Sequence, residues 1–146
     1  MDRTARRLAT RVSSVLLTAL VLVACGGSSG SGQSAPSTCA PTGTALTLAA
    51  PSLKFDTDCL ATLANEPFTV KFENQDSGTA HNFLISVAFS PGSDVLFQGD
   101  AITGVNTVTY DVPALAAGTY SFECSIHPSF MHGTFIVASA PSGSPA

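Results

Sequence analysis

The sequence predicts an all-β domain, built as an antiparallel sandwich or barrel. Three observations carry this. Apolar and polar residues alternate with a period of two in several short runs, as at Phe68, Val70 and Phe72 against Thr69, Lys71 and Glu73. Turn-forming pairs such as Ser77-Gly78 and Pro91-Gly92 separate such runs, and no apolar stripe of helical period reaches a useful length. Leu115-x-x-Gly118-x-Tyr120 has the form of a tyrosine corner, a Greek-key device whose hydroxyl returns to nearby backbone.

The elements follow in order. Ala45 to Ala50 is a first strand and Phe68 to Glu73 a second. His81 to Phe89 is a third, apolar nearly throughout and bounded by the two turn signals. Val108, Tyr110 and Val112 alternate with Thr107, Thr109 and Asp111. Tyr120, Phe122 and Cys124 share one face of the next strand, with Thr119, Ser121 and Glu123 on the other. Gly133 to Ala138 closes the set, and no internal repeat is present.

A chain of 146 residues points to one domain with tails. Arg3, Arg6, Arg7 and Arg11 precede an apolar run of 13 residues, Val12 to Ala24, which is short of the roughly 20 that a permanent span needs. The run ends Leu22-Val23-Ala24-Cys25, so residues 1–24 resemble a bacterial lipoprotein signal peptide, with Cys25 left to carry lipid. Residues 25–38 are that cysteine and a Gly/Ser-rich flexible linker, whose r.m.s. span is about 20 Å. The folded unit is then residues 39–138, followed by a disordered tail, 139–146. Cleavage leaves two lysines against nine carboxylates, a net charge of −7. That balance argues against nucleic acid and against electrostatic docking to anionic lipid, and suits a basic protein partner.

Four cysteines are present. Cys25 belongs to the lipid signal. Cys39 and Cys59 lie in an exported, oxidising setting and are expected to form a disulfide; the alternative, a second metal site, lacks a nearby His. Cys124 is left over, and an odd thiol in an exported protein needs an explanation.

Its neighbours supply one. His127 follows three residues later and Met131 four after that, while His81 opens an earlier strand. Any one of these alone reads as packing or surface. Together, a soft thiolate, two imidazoles and a thioether are the donor set of a type 1 copper site, with two His and one Cys in a plane and a long axial Met. A short loop between two strands folds Cys124, His127 and Met131 around one ion, and His81 arrives from a separate strand.

The stretch from Gly118 to Thr134, with Cys124-Ser125-Ile126-His127-Pro128 at its centre, resembles the copper loop of the cupredoxins, the plastocyanin-like and amicyanin-like proteins especially. Thr79-Ala80-His81-Asn82-Phe83 resembles their first-ligand strand. The resemblance covers about residues 45–138. It implies a Greek-key β-sandwich, one copper ion and electron shuttling, with His81, Cys124 and His127 as equatorial ligands and Met131 as the axial one. It also implies that Asn82 steadies the ligand loop, and that Pro128, lacking an N–H, offers the sulfur one donor fewer. The three residues between His127 and Met131 make this loop intermediate between the amicyanin-like and plastocyanin-like spacings.

The expected function is a monomeric, membrane-tethered one-electron carrier on the extracytoplasmic face of the cell membrane, serving a redox partner protein. The alternative is an exported copper carrier or buffer that delivers the ion to another protein. Enzyme activity is not expected, because only His132 remains as a further imidazole and no second Cys-His pair exists. His132 reads as an exposed residue. Phe130 either packs inward or forms an apolar patch beside His127.

Overall fold

The computed structural model describes residues 38–140. The expected signal peptide, Cys25, nearly all of the expected linker and residues 141–146 lie outside the described residues. Ten strands form, and no helix is present among the described residues. They are β1 (Ala45–Ala50), β2 (Cys59–Leu63), β3 (Phe68–Asn74), β4 (Ala80–His81), β5 (Leu84–Ser86), β6 (Val95–Gln98), β7 (Ile102–Thr103), β8 (Asn106–Val112), β9 (Gly118–Glu123) and β10 (His132–Ala138).

Two sheets hold the core between them. One has the order β1-β3-β8 and the other β2-β10-β9-β5-β6, while β4 and β7 pair as a small ribbon. Strand alternation decides which side chains face inward. In β3, Phe68, Val70 and Phe72 are buried, and Thr69, Lys71 and Glu73 are not. Tyr110 and Val112 of β8 and Leu46 and Leu48 of β1 join them. Phe122, Phe135, Val137 and Ile85 face them from the larger sheet. Phe68 stacks on Phe135 across the gap, with ring centroids 5.4 Å apart. Phe122 meets Phe55 at 5.3 Å and Phe83 at 5.9 Å, in tilted pairs that add to area burial.

The sandwich is mixed rather than antiparallel. β1 runs parallel to β3, and β2 parallel to β10. Period-two alternation is the same for both senses of pairing, so only the connections separate them. The expected strand from His81 to Phe89 is broken. Its first residues pair with β7, and Leu84 to Ser86 pair with β9 and β6. Asn82 sits at the break and donates to the Gly99 carbonyl at 3.1 Å, while the Gly99 N–H donates to the Phe83 carbonyl. After Ser86 the chain turns: Val87 N–H donates to Asp94 O, and Gly92 adopts φ +80°, a left-handed conformation that glycine takes without steric cost.

Tyr120 donates its hydroxyl to the Ala116 carbonyl at 2.9 Å, closing the corner between β8 and β9. Tyr110 donates to the Asp100 carbonyl at 2.6 Å, and burial, with the charges of Asp100 and Cys124, pushes its phenol up to about 12.

Cys39 and Cys59 form the expected disulfide, closing a separation of 20 residues. Loop-closure entropy of that size stabilises the fold by about 3 kcal/mol. The bridge ties the start of the domain to the first residue of β2, opposite Thr134 of β10.

Candidate metal centre

Cys124 lies one residue past β9, on the buried side that Phe122 already faces. It is the one free cysteine among the described residues, and it is fully buried. Its N–H donates to the Met131 carbonyl at 2.9 Å, the last rung between β9 and β10 before they part. The loop between them is tied from within. His127 N–H donates to Cys124 O, and the His127 carbonyl accepts from both Phe130 and Met131. His127 and Met131 are thereby held close to Cys124, and the Met131 side chain is fully buried.

His81 arrives from β4. Its Nδ1 is 3.9 Å from Cys124 Sγ, and His127 Nδ1 is 3.8 Å from the same sulfur. The two imidazole rings stand edge to face with centroids 5.0 Å apart. One donor atom from each of His81, Cys124 and His127 lies within 4.8 Å of the other two. Ordinary metal bonds of about 2.0 Å to nitrogen and 2.3 Å to sulfur, opened into a trigonal plane, set nitrogen and sulfur about 3.7 Å apart. The observed spacings thus fit one ion among three donors. Two imidazoles, a thiol and a neighbouring thioether are the donor chemistry suited to a single copper ion.

The sequence matches the cupredoxin-like domain across residues 16–137. The chain belongs to the cupredoxin-like domain family. Its fold is similar to that of dithionite-reduced auracyanin from the photosynthetic bacterium Roseiflexus castenholzii, with a TM-score of 0.56 and 21% identity over 67% of this chain and 98% of that one. Auracyanin A from the green thermophilic photosynthetic bacterium Chloroflexus aurantiacus, described as a "blue" copper protein, gives a TM-score of 0.56 and 20% identity over 65% of this chain and 98% of that one. At those identities the likeness speaks to the fold. No curated protein matches the chain in sequence.

Within this cupredoxin-like domain the remaining sequence-predicted residues fall as follows. Asn82 is buried, and its Oδ1 accepts from Ser125 N–H at 2.9 Å and from Ser125 Oγ at 3.2 Å. With its Nδ2 on Gly99, Asn82 ties the residue after Cys124 to the β4–β5 break. Pro128 is exposed, and its carbonyl accepts from His132 Nδ1 at 2.9 Å. His132 is exposed and stacks on Phe89 with centroids 4.3 Å apart. Phe130 is 73% exposed, so of its two expected placements the structure adopts the apolar surface one, and Ile126 on the same loop is also exposed.

One residue beside the cluster escaped the sequence reading. Asp76 Oδ2 lies 2.8 Å from His81 Nε2, on the far side of the ring from Cys124. The Leu53 N–H has the largest influence on its carboxyl and holds it below the usual carboxylate range, helped by His81 and the Ser52 N–H, while partial burial pulls the other way. Sequence offered little signal for it, since Asp76-Ser77-Gly78 reads as an ordinary turn.

Proposed function

We propose that this chain holds one copper ion at His81, Cys124, His127 and Met131 and works as a one-electron carrier. The observation that supports this most is the packing of two imidazole nitrogens within 4 Å of a buried, unpaired thiol in a cupredoxin-like fold. Bound there, copper supplies a one-electron couple between Cu(II) and Cu(I). The residues supply the rest. The Cys124 thiolate would give strong covalency, His81 and His127 would supply nitrogen donors, and the Met131 thioether would be a weak further donor. Asn82 and the bonds onto the His127 carbonyl fix the ligand loop, so the donors keep their places when the charge of the site changes.

Access is one-sided. His81, Cys124 and Met131 are buried, and His127 alone of the set is partly exposed. We assign His127 as the electron's entry and exit, with Ile126 and Phe130 as an apolar rim for a redox partner. The acidic balance of the chain after residue 24 favours a partner with a basic surface. In this reading the chain is a carrier rather than an enzyme, and lipid on Cys25 tethers it outside the cytoplasmic membrane.

The test is the visible spectrum of the purified protein after Cu(II) addition and again after a reductant. An intense thiolate–copper band that bleaches and returns on reoxidation is the expected result. A colourless or non-cycling protein overturns the electron carrier and leaves copper delivery as the better reading. For the tether, labelled palmitate is expected to enter the wild-type chain in a bacterial host and not a Cys25→Ala variant. Label in both, or in neither, removes it.

A further inference from the structure

We propose that Asp76 is a positioning residue for the metal centre: anchored by two backbone N–H groups, it accepts a hydrogen bond from His81 Nε2 and so aims the Nδ1 lone pair at the site before any metal arrives. This rests on His81 being a ligand, as proposed above.

His81 is fully buried, and neutral imidazole carries one N–H and one lone pair. Which nitrogen holds the proton is decided by the partners of both. Nδ1 has Cys124 Sγ at 3.9 Å, a weak partner, while Nε2 has Asp76 Oδ2 at 2.8 Å. A carboxylate accepts hydrogen bonds and donates none. Asp76 Oδ2 is therefore the acceptor and Nε2 the donor, and Nδ1 keeps its lone pair, directed to the side where Cys124 and His127 stand.

The structure also shows why Asp76 stays an acceptor. Its Oδ1 accepts from the Ser52 N–H, and its Oδ2 accepts from the Leu53 N–H at 2.8 Å. Ser52 and Leu53 both sit in the left-handed region, with φ of +54° and +57°. That region is disfavoured for a non-glycine residue, and Leu has no side-chain hydrogen bond to offset it. Two successive residues in this conformation turn both N–H groups to one side, making a concavity that suits an anion. The strain therefore has an identifiable return, a carboxylate held between a backbone cradle and a ligand imidazole. Asp76 is anchored from its own side as well: its N–H donates to Asn74 Oδ1, and the buried Asn74 amide donates to the Thr79 and Ile102 carbonyls at the ends of the ribbon that carries His81.

Two properties follow. The imidazole needs no tautomer change or ring rotation to accept a metal. The hydrogen-bonded carboxylate would also make it a stronger donor, favouring the more highly charged ion, Cu(II) over Cu(I).

The decisive measurement uses the metal-free wild-type protein. Long-range ¹⁵N–¹H correlation of the His81 ring is expected to show a protonated Nε2 and an unprotonated Nδ1. A proton on Nδ1 overturns the proposal whether or not copper binds, so this outcome is separate from failure of the copper reading. In Asp76→Asn the tautomer preference is expected to weaken, Cu(II) affinity to fall 10- to 100-fold, and the reduction potential to rise, with the visible band retained. A folded variant with wild-type tautomer, affinity and potential also overturns it. If the variant does not fold, the wild-type ring spectrum decides alone.

Discussion

Cys124→Ser is expected to give a folded, colourless protein. The intense visible band of a copper–thiolate site arises from the sulfur, so replacing that atom by oxygen removes the band even where an ion still binds. A serine hydroxyl is a harder donor and does not ionise at neutral pH as a thiol beside a metal does. The fold should survive, because the change alters one buried atom in a core cluster that also holds Phe122, Phe83 and Met131. Absorbance after Cu(II) addition and a thermal melt of the same sample check both halves. Colour unchanged from wild type would show that Cys124 is not a ligand.

Gly133→Ala is expected to produce a large loss of stability from the addition of a single carbon. A Cβ at that position meets Phe122 ring carbons at 2.5 Å and the Asp58 carbonyl oxygen at 2.6 Å. Neither neighbour has room to move. The Phe122 ring is fully buried and packed between Phe55 and Phe83, and the Asp58 carbonyl accepts from Thr134 N–H at 2.8 Å. Forcing such an overlap into a packed core costs about 1–3 kcal/mol or more, and a domain of this size loses roughly 4–8 °C of midpoint per kcal/mol. Because Phe122 precedes Cys124 by two residues and Gly133 follows Met131 by two, the displacement should also move the visible band of the copper-loaded protein. A melting midpoint within a degree of wild type would show that β9 and β10 do not pack as closely as described.

The core strands were legible because their apolar residues alternate; Phe68, Val70 and Phe72 could be placed inward from spacing alone. Tyr120 was legible through its spacing from Leu115 and Gly118. The candidate donor set was legible because four residues of three uncommon types fell at workable spacings. What stayed hidden had a physical reason each time. β2 is buried on both faces at Leu60, Ala61 and Thr62, so its sequence carries no period. β6 is an exposed edge strand, and β4 and β7 have two residues each, too few for any period to show. Asp76 was hidden because its proposed role depends on Ser52 and Leu53, 24 and 23 residues earlier, adopting a conformation that their residue types disfavour.

The disulfide has a mechanical consequence. Tension applied to the chain ahead of Cys39 passes through the sulfur bridge directly into Cys59, so residues 40–58, with β1 among them, form a covalent bypass that carries no load. The force enters at the start of β2 and spreads along the rungs that join β2 to β10, which resist as a group when strands are sheared rather than peeled one rung at a time. The ligand loop, at the other end of the β9–β10 pairing from the chain's exit at Ala138, is not part of the strand that is gripped.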